Sequence, residues 1–185
     1  MNLLNEGLMK NDKFRTISLF GTNLDKNKDY FSNIYETTYK ASFAYFAQAQ
    51  RHRTLDYKMQ ILKNKEYFIP PIIEDDKELV SEWLNDMDIV SSVYPQGELV
   101  LITESGKYED FILKCKERLC SSAQLEIMNK TKEILHNYSN YLNETNNPLA
   151  KDIKKYLKGA RCTFKDFVCT SDCKFKAGKL LYRKI

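Results

Sequence analysis

The sequence predicts an α+β fold: a mostly helical single domain with a small antiparallel or mixed sheet. Three observations carry this reading. Apolar residues recur at spacings of three and four over five separate stretches, as on the buried stripe of an amphipathic helix. One short segment instead alternates apolar and polar residues, the period of a half-buried strand, and a second short run, Glu98-Leu-Val-Leu-Ile-Thr103, is a further strand candidate. Finally, 43% hydrophobic and 29% charged residues over 185 positions are globular values, and a chain of this length buries roughly 70% of its unfolded surface.

Residues 1–28 are polar and poorly periodic, with a strand expected at 16–20 and a turn at 21–27. From about Asp29 the positions Phe31, Ile34, Tyr35, Tyr39, Phe43, Phe46 and Ala47 predict one long helix running into Arg51-His52-Arg53. Leu55, Tyr57, Met59 and Ile61 alternate with polar residues and predict a strand with those four on its apolar face. Pro70-Pro71 stops the chain before a second helix over 76–90, which carries Leu79, Val80, Trp83, Leu84, Met87 and Val90. Pro95 and Gly97 precede a short strand at 98–103. A third helix carries Tyr108, Phe111, Ile112, Cys115 and Leu119. Ser121 to Gln124 has capping-box spacing for a fourth, with Ile127, Met128, Ile134, Leu135 and Tyr138 inward. Residues 143–147 read as a loop. Asn147-Pro148 then starts a last helix that Gly159 ends. The organisation expected is a domain over 1–159 and a cysteine-containing tail over 160–185, which lacks a clear period.

Composition excludes several classes of function. With 29 basic and 25 acidic residues the net charge is +4, too mild for a nucleic-acid binder but suited to an anionic small ligand. No apolar run approaches the roughly 18 residues of a membrane span, and the N-terminus has no apolar signal-peptide segment, so the expected compartment is the cytoplasm. Two histidines exclude a histidine-rich metal site, and the six glycines form neither a dinucleotide fingerprint nor a phosphate loop.

The informative segment is Gln48-Ala-Gln-Arg51-His52-Arg53 at a helix end. Two arginines flanking a histidine form a compact cationic cluster that can hold phosphate oxygens bidentately, although a basic helix end also answers the helix dipole. Further features follow in order: Tyr67-Phe-Ile-Pro-Pro71, Tyr94-Pro-Gln-Gly97 before a strand, Arg118-Leu-Cys-Ser-Ser-Ala-Gln-Leu-Glu-Ile127, and Arg161-Cys-Thr-Phe-Lys-Asp-Phe167. This collinear set, over roughly residues 30–168, resembles the flavin-dependent thymidylate synthases, the ThyX family. The correspondence is with that family's Arg-His-Arg signature, its aromatic-Ile-Pro segment, its Leu-Pro turn, its Arg-x4-Ala-Gln-Trp-Glu-Ile stretch and its Cys-Pro ending.

The resemblance implies a homotetramer with active sites formed between chains. It implies bound FAD and methylation of dUMP, with carbon from methylenetetrahydrofolate and reducing power from NADPH. Arg51, His52 and Arg53 would meet the flavin; Gln48, Arg51 and Arg118 would hold dUMP. Arg118 is the catalytic candidate, stabilising negative charge that develops on the pyrimidine. The sequence departs from the family at several positions. Its signature serine is Ile61 here, with Met59 and Lys63 where it has an acid and an arginine. Ser91 replaces a nucleotide-binding arginine, and Glu104-Ser-Gly106 replaces a flavin-contacting Asn-x-Arg. Two alternatives follow: a ThyX-fold subunit without catalysis that assembles with itself or an active paralogue, or a ThyX-fold flavoprotein acting on another nucleotide.

Cys162, Cys169 and Cys173 form a candidate zinc cluster, with Cys115 or Cys120 as a fourth thiolate, against the alternative of reduced, partly buried thiols. His136 reads as a surface or capped histidine. Tyr35, Tyr39 and Phe43 read as a core face rather than a flavin-stacking box.

Overall fold

The run expected to be one long helix is divided between two kinds of structure. In the computed structural model, which describes residues 34–170 and Leu181, Ile34–Ser42 is a strand (β1) and only Phe43–Ala49 is helical (α1). Tyr35, Tyr39 and Ala41 are buried while Glu36, Thr38 and Lys40 are exposed, a period of two. An aromatic spacing of four fits a helix turn and also twice the strand repeat. The Thr37-Thr38 pair between the tyrosines favours the extended form. Ser42 then opens α1, its Oγ accepting from the Tyr45 amide at 3.0 Å. The strand expected at 16–20, the turn at 21–27 and the start of the expected helix at Asp29 lie outside the described residues.

The other strands are Asp56–Ile61 (β2) and Leu99–Lys107 (β3), in the sheet order β1-β3-β2. The sheet is antiparallel. Thr38 meets Thr103 while Phe43 N donates to Glu98 O on one side of β3; on the other, Glu66 O and Gly97 O accept from Leu99 N and Phe68 N. The apolar face expected for β2 is only partly buried. Leu55 is 5% exposed, Tyr57 and Met59 are intermediate, and Ile61 is 52% exposed. Because β2 lies at the edge of a three-stranded sheet, its last residue has little to pack against. β3 runs four residues past the expected end at Thr103. Val100, Ile102 and Glu104 share its buried face, and Glu104 accepts a 2.5 Å hydrogen bond from the Tyr39 hydroxyl. That partner lets a poor strand former continue the ladder. At Gly106 a Cβ would stand 2.4 Å from Leu55 Cδ2, so only glycine allows this approach.

Four more α-helices complete the described residues. Lys77–Ile89 (α2) starts at Asp76, whose carboxylate accepts from the amides of Glu78 and Leu79. Tyr108–Arg118 (α3) has Glu109 and Asp110 in its first turn and Lys116 and Arg118 in its last, charges that complement the helix dipole. Leu125–Glu144 (α4) is capped by Gln124, whose Oε1 accepts from Ile127 N at 2.8 Å. The cap expected at Ser121 is therefore displaced by three residues. Leu149–Ile153 (α5) begins with Asn147 Oδ1 accepting from the Leu149 amide; a single 3-10 turn, Lys154–Tyr156, follows before Gly159 at φ 130°.

The chain divides into two units. Among the described residues, one holds 34–36, 52–56, 105–170 and Leu181. Its core joins Tyr35, Phe111 and Tyr138, with ring centroids 4.6–5.6 Å apart, to Ile112, Met128, Leu135, Leu142 and Ile153. The first part of the tail belongs to this core: Arg161 N donates to Leu119 O at 2.7 Å, and Phe164 packs edge-on against Tyr156. The other unit holds 37–51 and 57–104, with most of the sheet, α1 and α2.

Candidate functional site

His52 is the residue of the Arg-His-Arg motif that the fold buries. It is 4% exposed and opens a turn in which Leu55 N donates to His52 O. Arg51 and Arg53 on either side of it are exposed. The imidazole packs against the last turn of α3. There Lys114, Glu117 and Arg118 stand at i, i+3 and i+4, so a single helix face carries all three. Nδ1 of His52 lies 2.9 Å from Glu117 Oε2, and Nε2 lies 2.5 Å from Arg118 Nε.

This geometry selects one protonation state. Arg118 can only donate, so Nε2 of His52 must accept; Nδ1 then carries the proton and gives it to the Glu117 carboxylate. Burial holds the histidine below its ordinary value of 6.5; the positive fields of Arg118 and Lys114 act the same way, and Glu117 opposes them. Partial burial pushes Glu117 upward. The His52 hydrogen bond and the charges of Arg118 and Arg161 outweigh it, leaving Glu117 below 4.5. With Nε committed to His52, Arg118 keeps its two terminal nitrogens as a fork for a planar or anionic acceptor.

Two segments singled out separately in the sequence thus meet in one cluster. Sequence reasoning missed Glu117 and the fully buried Lys114. The available signal was their spacing with Arg118, which sets all three on one face of α3. Gln48 and Arg51 belong to the other unit: Gln48 is half-buried in α1, and Arg51 N donates to its carbonyl at 3.4 Å.

The departures from the family pattern also have places. The Ser91 carbonyl accepts from Lys65 Nζ at 2.5 Å, and Lys63 and Ile61 are exposed. Glu104 is completely buried beside Tyr39, which itself bonds Tyr45 at 2.8 Å. Lys65, Glu66, Tyr67, Leu84, Asp88 and Leu99 line a cavity of about 420 Å³ in the same unit, and none of them is a site residue expected from the sequence.

Cys162 and Cys169 are exposed, Cys115 and Cys120 are buried, and Cys173 lies outside the described residues. Among the described residues no group of three or more His, Cys, Asp or Glu side chains is gathered as a metal ion requires. His136 is exposed on α4, as expected. Among the described residues no helix is long and apolar enough to cross a membrane. No protein-family model matches the sequence, and no curated protein matches it.

Proposed function

We propose that this chain is a flavin-dependent thymidylate synthase-like protein of the cytoplasm. It binds FAD and dUMP, takes a one-carbon unit from methylenetetrahydrofolate and draws reducing power from NADPH. One observation carries the reading: the 2.5 Å hydrogen bond between His52 and Arg118, 66 positions apart. The resemblance assigns His52 to the flavin through one motif and Arg118 to the nucleotide through another. Their convergence supports a shared site that neither motif implies alone.

The donor set fits anionic nucleotides. Arg53 is exposed beside His52, Arg118 offers a planar fork, and the resemblance adds Arg51 and Gln48. Bound FAD would supply the electron transfer that no side chain here can perform. Arg118 would orient the pyrimidine and stabilise negative charge developing on its carbonyl, while buried His52 holds the guanidinium in place. Assembly with further copies of the chain, as the resemblance implies, belongs to the same reading.

The decisive experiment is the absorbance of the purified chain between about 350 and 500 nm, the range of oxidised flavin absorption. It is followed by dUMP titration and complementation of a thymidine auxotroph. Flavin absorbance, dUMP binding lost in Arg118→Ala, and growth would support the enzyme. A colourless protein that neither binds added FAD nor complements would favour the second reading, a ThyX-fold subunit without catalysis. That reading has its own support, since Glu104 is spent on Tyr39 inside the fold and Ser91 is spent on Lys65 through its carbonyl and on Tyr67 through its side chain.

A further inference from the structure

Glu117 lies outside every motif the sequence offered, yet it holds the far side of His52. We infer that Glu117 is a positioning residue: it holds His52 as the Nδ1–H tautomer, and His52 in turn sets the direction in which Arg118 presents its terminal nitrogens. The inference rests on the thymidylate synthase-like reading for its ligand, dUMP, and on this chain's own geometry for everything else.

The hydrogen-bonding capacity of each group decides the tautomer. A neutral imidazole has one N–H and one lone pair. If Nε2 carried the proton, it would face the Arg118 Nε–H donor-to-donor at 2.5 Å, and the contact would break. Glu117 prevents this by offering an acceptor 2.9 Å from Nδ1. The imidazole has little freedom of its own, being 4% exposed. A carboxylate that orients a histidine toward a third group is a familiar way to fix both tautomer and ring angle. The charged groups facing His52 are Glu117, Arg118 and Lys114, all from α3, while Arg161 faces Glu117. Protonating His52 would remove the lone pair and add a third cation beside Lys114 and Arg118, so acid should release the Arg118 fork.

The test uses the full chain labelled with 15N. Only two histidines exist, so His136→Gln, at an exposed position, leaves one imidazole to observe. Ring nitrogen shifts should report the Nδ1–H tautomer at neutral pH. Glu117→Ala should mix the tautomers and weaken dUMP binding by roughly tenfold, the scale of a misdirected contact. Glu117→Gln keeps an acceptor oxygen and should restore most of both. The wild-type tautomer is readable even if a variant fails to fold. An Nε2–H tautomer in the wild-type chain, or unchanged tautomer and affinity in Glu117→Ala, would overturn the inference. Should the wild-type chain not bind dUMP, an Nδ1–H tautomer whose Nε2 signal moves in Arg118→Gln would leave the positioning role standing and remove only the thymidylate reading.

Discussion

Lys116 is fully buried, and its ammonium meets Asp166 Oδ2 at 2.5 Å with the Tyr156 ring centroid 5.7 Å away. Removing the carboxylate strands a fully buried ammonium, whereas replacing the lysine by an apolar residue of similar length leaves a carboxylate that is 19% exposed and still accepts from the Tyr156 hydroxyl. Asp166→Ala is therefore expected to cost about 3 kcal/mol, and Lys116→Met no more than about 1 kcal/mol, in urea unfolding. Equal losses would show that the pair is not the source of the stability. His52 gives a pH signature with a definite sign. Its folded pKa lies below 6.5, so the unfolded chain binds more protons as pH falls under that value. Stability is then complete above pH 6.5 and declines below it, down to the folded pKa, by at most about 1.4 kcal/mol per pH unit. Between pH 7.5 and 5.5 Glu117 adds little, because its own loss comes as pH falls below its ordinary 4.5. Unfolding at pH 7.5 and at pH 5.5 should separate the wild-type chain from His52→Gln, which lacks that decline. Arg118 and His52 were legible in the sequence because their motifs are local. Glu117 was not, since an acid beside an arginine at a helix end reads as a solvated pair until the fold brings an imidazole against it.

Helices with a single period and a local cap were the legible elements. α2 and α3 fall within a residue or two of the boundaries their apolar spacing and flanking residues imply. The Asp76 cap on α2 is exposed and makes only backbone contacts, so Asp76→Ala should lower stability by about 1 kcal/mol, and Asp76→Asn or Asp76→Ser by much less. A loss equal across all three substitutions would mean the charge, not the cap, mattered. β1 resisted the same reasoning for a physical reason. Tyr35, Tyr39 and Phe43 keep a spacing of four, common to helix and strand, and only the residues between them discriminate. β3 outran its expected end because Glu104 is satisfied from another strand, a tertiary hydrogen bond with no local trace. For Gln124, three capping-competent residues compete within four positions, and the one that reaches Ile127 N wins.

The chain's apolar exposure is unevenly distributed. Of ten large hydrophobic residues exposed among the described residues, eight lie between positions 61 and 94. α2 buries only Met87; Leu79 and Ile89 on it remain exposed, as do Val90 just after it and Val93 and Tyr94 a few residues on. A helix expected to turn six apolar residues inward thus keeps much of that surface in water. Ile72, Ile89 and Val93 are each about 70% exposed, and covering each would contribute roughly 1–2 kcal/mol. Exposed apolar surface of this extent is the kind that association covers, and the proposed reading, with sites formed between copies, calls for such association. Light scattering at micromolar concentration should accordingly report an assembly larger than one chain. Ile89→Glu combined with Val93→Glu should dissociate it while leaving the helical circular dichroism signal intact, since neither side chain packs inside its own unit. If the sites need several chains, the dissociated variant should also lose FAD and dUMP, although it retains His52, Glu117 and Arg118. A wild-type chain that scatters as a clean monomer would remove the interchain arrangement. A dissociated variant that still binds both ligands would confine the site to one chain.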